Sequence, residues 1–161
     1  MGSLKQFLEE EAEKIQTHLS EAARKRDEWV GAIDRLIARM KDWIGEADPG
    51  GVLVLQDRSH SIREEGIGAY QALGLSIGLG PREVRVEPVA RNVAGPRSAT
   101  GVIHVSRAYG RVDMTDGLRK FMIFRLEREP EDRWSIIEQD GYEMRPFDRE
   151  SFEAAVQSLL E

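Results

Sequence analysis

From Leu4 to Ile44 the chain holds no proline and a single glycine, Gly31, and no other feature constrains the fold as strongly. Nothing in that stretch breaks an α-helix, and Asp48-Pro49-Gly50-Gly51 then stops one firmly. Apolar residues recur in alternating three- and four-residue steps. One series reads Leu8, Ile15, Ala22, Trp29, Leu36, Trp43, and the other reads Ala12, Leu19, Arg26, Ile33, Met40. A seam held for five heptads, with the charge of Arg26 as its one break, predicts a long helix that packs along its length.

The two halves of the seam differ. Beyond Arg26, the flanking Val30, Ile37 and Ile44 widen it into the stripe of a helix lying on a domain core. Before Arg26 it narrows to Leu8, Ala12, Ile15, Leu19 and Ala22, with charge all around, as in Glu9-Glu10-Glu11-Ala12-Glu13-Lys14. Such a line suits one partner helix better than a broad core face. Forty-one helical residues span about 60 Å, whereas a domain built from the rest of the chain is roughly 35 Å across. One end must overhang, unless the helix frays or folds back as an αα-hairpin near Arg24-Lys25-Arg26-Asp27.

After the Pro-Gly-Gly break the period becomes strand-like, with turn signals about every ten residues. Short strands are expected at Val52–Leu55, Leu73–Leu79, Arg82–Val89, Val102–Ser106, Arg111–Thr115, Leu118–Glu127, Arg133–Glu138 and Tyr142–Arg145. Asp116-Gly117 reads as a type I′ hairpin turn, and Asp140-Gly141 as another turn. The small face Gly74, Ser76, Gly78, Gly80 suggests close approach of a helix to the backbone. Asp148 is placed to cap a closing helix whose stripe is Phe152, Ala155, Val156, Leu159 and Leu160. The expected fold is α+β: a long N-terminal amphipathic helix, an antiparallel meander of about six to eight strands, and a short C-terminal helix packed on the sheet. Residues 1–48 form the helix, its outer half (about 4–26) projecting or coiled-coil, and residues 49–161 form the sheet domain.

Composition narrows the chemistry. The 161 residues include no cysteine, which removes disulfides, thiolate nucleophiles, iron–sulfur clusters and the usual structural zinc sites. His18, His60 and His104 are far apart, so no histidine-rich metal site is expected; carboxylate binding of calcium or magnesium stays open, and no metal site or cofactor is assigned. No run reaches the roughly 18 apolar residues of a membrane span, and the acidic Met1–Glu13 does not read as a secretory signal. No membrane contact is expected, and the cytoplasm is the expected compartment. Ser59-His60-Ser61 places a histidine between serines without a triad pattern, and Asp113 with Asp116 is the nearest approach to paired carboxylates. Enzymatic activity is therefore not the favoured reading.

Charge is uneven: −3 over residues 1–48, −1 over 49–81, +5 over 82–128 and −7 over 129–161. The basic middle either pairs with the acidic end or offers arginines to an anion. Arg91, Asn92, Arg97, Arg107, Arg111 and Arg119 are the candidate ligand-binding residues, because guanidinium groups grip phosphate and carboxylate bidentately. Nucleic acid is open as a partner but not favoured, since only Tyr109 interleaves with these arginines and the net charge is −6. The favoured partner is a second copy or a partner helix on Leu8, Ala12, Ile15, Leu19 and Ala22.

Overall fold

A computed structural model describes residues 2–96 and 107–161. Helix α1 (Leu4–Ala47) is continuous over 44 residues, with no turn at Arg24–Asp27. At ~1.5 Å per residue it is about 66 Å long. The Ser3 hydroxyl caps its start by accepting from the Gln6 N–H at 3.2 Å. At its end the Asp48 N–H donates to the Ile44 carbonyl, and the Asp48 carboxylate accepts from the N–H groups of Val52 and Leu53 at 2.9 and 2.8 Å. Asp48 thus stops the helix and starts the sheet domain, and these bonds hold its carboxyl below the ordinary value.

The strands are β1 (Val54–Glu64), β2 (Gly68–Leu79), β3 (Arg82–Ala90), β4 (Val93–Ala94), β5 (Arg107–Ala108), β6 (Arg111–Thr115), β7 (Lys120–Glu127), β8 (Arg133–Glu138) and β9 (Arg145–Pro146). Seven of them form one antiparallel sheet in the order β1-β2-β3-β6-β7-β8-β9, while β4 and β5 make a separate two-stranded ribbon. Helix α2 (Arg149–Leu160) closes the fold, and Asp148 caps it in a reciprocal pair with Ser151. The architecture is α+β, a meander with one excursion.

Both helices lie on the same sheet face. Trp29, Ile33, Leu36 and Met40 of α1, with Phe152, Ala155 and Leu159 of α2, bury Leu75, Ile77, Val84, Val86, Met114 and Ile123. On the opposite face the ribbon puts Val93 and Ala108 over Met122, Phe124 and Ile137. Alternation along β7 explains the split, since Ile123 points to the helices and Phe124 to the ribbon.

Several local expectations change. Instead of a short strand at Val52–Leu55, β1 runs to Glu64 and pairs with β2 along its full length. The turn between them is made by glycines with positive φ, Gly66 at 85° and Gly68 at 82°. Glycine at 74 serves not a helix but the sheet itself, because a Cβ there would meet His60 Nε2 and the Val86 carbonyl at 2.6 Å each. The hairpin at Asp116-Gly117 is not type I′. Thr115 pairs with Lys120 across four loop residues, and the Asp116 carboxylate accepts from the N–H groups of Leu118 and Arg119 at 2.8 and 2.7 Å. The last strand falls at Arg145–Pro146 rather than Tyr142–Arg145, and the expected strand at Val102–Ser106 lies outside the described residues.

Candidate interaction surface

The root of α1 is locked to the sheet domain in three ways. Trp29 is fully buried, its ring 6.0 Å from that of Trp134, and it lies flat enough on Gly110 that a Cβ there would fall 2.1 Å from the indole. Only glycine fits beneath it, and Gly110 also has a φ of 148°. The Trp29 Nε1–H donates to the Tyr70 hydroxyl at 3.2 Å, and Tyr70 in turn donates to Glu64. Burial and the neighbouring carboxylate push the Tyr70 hydroxyl well above its ordinary pKa.

The second lock is ionic. Arg125, 1% exposed, donates to both Glu28 oxygens at 2.8 and 2.6 Å and to Asp132 Oδ1 at 3.0 and 2.5 Å. Arg35 completes the network by donating to Asp132 at 2.9 Å. Two α1 side chains, Glu28 and Arg35, therefore clasp the β7–β8 end of the sheet. The Arg125 hydrogen bonds hold the Glu28 carboxyl below its ordinary value. Burial raises the Asp132 carboxyl, but the bonds from Arg35 and Arg125 outweigh it and the net shift is downward. The third lock is Arg26, whose guanidinium donates to the Ile67 carbonyl at the tip of the β1–β2 hairpin.

Past this root the described residues leave the helix uncovered. Every residue from Leu4 to Glu21 is exposed except the intermediate Glu11. Leu4, Leu8, Ile15 and Leu19 are 54–71% exposed, and Ala12 is exposed as well. Ala22 differs from the other seam residues, being 8% exposed and already part of the covered stretch. Leu4 extends the apolar line beyond the residues singled out from the heptads, while Phe7, 55% exposed, stands about 100° round the helix from Leu8. Leu4 lies one turn before Leu8 on the same face, so i,i+4 spacing was the signal for it.

The arginine constellation divides. Arg91 and Arg107 share one neighbourhood with Arg128, and the Asn92 Oδ1 accepts from Arg91 Nη1 at 3.0 Å. Arg91 is 8% exposed, and its Nε has no hydrogen-bond partner among the described residues. Burial, then repulsion from Arg128, lowers the Arg91 pKa from its ordinary value. The Glu64 carboxylate accepts from the N–H groups of Arg91 and Asn92, between 2.9 and 3.1 Å. Arg111 is held in a bidentate pair with Asp113 at 2.8 and 2.9 Å on the ribbon face. Arg119 lies elsewhere, bonded to Glu138 at 2.8 Å and to the Ser158 carbonyl at 3.2 Å. Arg97 falls outside the described residues. The basic middle and the acidic end do meet, through Arg119–Glu138 and Arg125–Asp132.

Glu28, Glu64, Tyr70, Arg125, Arg128 and Asp132 had no part in the reading of the sequence. Only Arg125 carried a signal, as the lone charge within Phe121-Met122-Ile123-Phe124-Arg125-Leu126, where a strand buried on both faces demands a paired partner. The serine hydroxyls of Ser59 and Ser61 bond Gln71 at 2.9 and 2.6 Å, while His60 faces Gly74, so the three do not converge. Among the described residues, no helix is long and apolar enough to cross a membrane. Comparison with protein-family models, with curated proteins and with solved structures found no match.

Proposed function

We propose that this protein is a non-enzymatic interaction module that associates through the outer half of α1. The observation that carries the reading is the row Leu4, Leu8, Ile15, Leu19, each more than half exposed on one face of a rod that the described residues leave bare. A helix of that length standing alone in water is only marginally stable, since nucleation is costly and propagation nearly neutral. Covering the row supplies the missing stabilisation, about 1.5–3 kcal/mol for each fully buried leucine or isoleucine. The root supports the same reading, because Trp29, Arg125 and Arg26 fix the direction in which the rod leaves the domain.

Light scattering on the whole chain tests it. The native protein is expected to exceed 18.2 kDa in a concentration-dependent way, and Ile15→Glu with Leu19→Glu to return it to that mass. A mass of one chain at every concentration, unaltered by the substitutions, overturns the reading for self-association.

A second reading rests on Arg91. A buried guanidinium whose Nε has no partner among the described residues, set beside Arg107 and Arg128, is a concentration of like charge that an anion relieves. The class of ligand is a phosphorylated molecule or a nucleic acid held by the Arg91–Asn92 loop and neighbouring strand ends. Binding of inorganic phosphate or a short oligonucleotide, weakened by salt and by Arg107→Ala or Arg128→Ala, supports it. Unchanged melting with both probes retires it.

A further inference from the structure

Resting on the interaction-module reading, the geometry points to a second copy of this chain, running antiparallel, as the occupant of the bare α1 stripe. Leu8 of each copy lies opposite Leu19 of the other, and Ala12 opposite Ile15. Three observations lead there.

The first is which face is bare. Leu8 and Ile15 share one heptad series with Trp29, and Leu19 shares the other with Ile33 and Met40, so the open stripe is the outward continuation of the face that carries the sheet domain. Two paired helices lie only about 8–10 Å apart. In a parallel pair, each helix beyond Arg26 would carry its own sheet on the side facing its neighbour. Two sheet layers, each needing about 10 Å of its own, cannot share that gap. Turned antiparallel, the two sheet domains sit at opposite ends of the pair and never meet. The bulk that forbids one orientation leaves the other free.

The second is charge. Residues 4–13 carry one lysine and four glutamates, net −3, while residues 14–26 carry four basic residues and one glutamate, net +3. A parallel pair stacks like on like along its whole length. An antiparallel pair sets each acidic half against a basic half, and it also opposes the two helix dipoles.

The third is register. Core residues of an antiparallel pair alternate between the two heptad series, which allows alignments one heptad apart. Leu8 opposite Leu19 brings the large apolar side chains of both copies together and sets Leu4 opposite Ala23, where the domain begins to cover the helix. A shift of one heptad toward the domain would bring Leu8 opposite Arg26, whose guanidinium is already engaged with Ile67. It would also drive Leu4 against the buried root around Trp29.

The absence of cysteine gives a clean test in the full chain. Leu8→Cys together with Leu19→Cys is oxidised beside each single substitution, and the cross-linked peptides are identified by mass. In the proposed register the double variant forms a covalent dimer joining position 8 of one copy to position 19 of the other, and neither single variant cross-links. Equivalent positions then lie about 16 Å apart along the axis, well beyond disulfide reach of about 7 Å. Glu11→Cys with His18→Cys flanks the seam, leaves every apolar contact in place, and is expected to give the same pairing of unlike positions. A dimer in which Leu8→Cys alone joins position 8 to position 8 overturns the antiparallel assignment and leaves the interaction module standing. A native mass of one chain at every concentration overturns the second copy as occupant and, with it, the self-association reading. A dimer in which no arm position cross-links also overturns both, since the contact then lies on another surface.

Discussion

Inner and outer halves of α1 share one apolar seam and differ in what covers it. Trp29, Ile33 and Met40 are fully buried under the sheet, while Leu8, Ile15 and Leu19 stand more than half exposed. The change falls between Leu19 and Ala22, about one turn before Arg26, the one charge in the seam, whose guanidinium is tied to the Ile67 carbonyl. The seam pattern therefore states that a helix face is to be covered, and the width of the stripe states by what. A wide stripe with Val30, Ile37 and Ile44 alongside meets a sheet, and a narrow one is suited to another helix.

The contrast breaks hardest at Trp29. Trp29→Ala removes the indole that seats α1 on Gly110 and Trp134, and is expected to cost about 3–5 kcal/mol of domain stability. Ile15→Ala, at a seam position in the bare half, is expected to change the unfolding of dilute protein by no more than about 0.5 kcal/mol. Urea unfolding followed by tryptophan fluorescence compares the two. Equal losses would mean that the outer half belongs to the domain after all.

Next in size is Arg125→Ala, which leaves Glu28 and Asp132 facing each other without their shared cation. About 3 kcal/mol is expected, the low end for a broken buried pair because Glu28 is partly solvated. Glu28→Gln added to that variant is expected to recover part of the loss, read as a coupling energy from the four urea midpoints. Smaller again is Gly110→Ala, expected to cost about 1–3 kcal/mol as its methyl pushes the Trp29 ring outward. A blue-to-red shift of the tryptophan emission reports that displacement.

Acid gives the mildest probe. Glu28 and Asp132 titrate below their ordinary values of 4.5 and 3.8 in the folded protein, so their contribution is full above those values. It is lost as pH falls through the lower folded values. Urea midpoints should therefore hold from neutral pH to about 5 and drop below about 4. The drop should be shallower in Arg125→Ala, where Glu28 loses the main cause of its shift and Asp132 keeps only its bond from Arg35.

How far the sequence discloses this molecule depends on how many faces of an element are buried. α1, β3, β6, β7 and β8 each set a clear apolar face against a core, and their periodicities are legible. The outer half of the β1–β2 hairpin is not, because Asp57, Arg58, Ser59, Ser61 and Arg63 leave β1 an exposed edge with little core pattern. The bare stripe on α1 is legible for the same reason as the core, since a helix face written for burial looks alike whether its cover is present or not. The arginines were harder. In a meander, successive turns fall at opposite ends of the sheet, so Arg111 starts β6 next to Ala90 while Arg119 turns back at the far end. Nearness in sequence put them in one group, and the strand between them separates them.

Hydrogen exchange measured by peptide mass at several protein concentrations bears most directly on the proposal that the outer half of α1 is completed by another chain. The account predicts that amides of residues 29–44 keep the same protection at every concentration, while those of residues 8–19 gain protection as concentration rises. Protection over residues 8–19 that is constant across the series, whether high or absent, would contradict it.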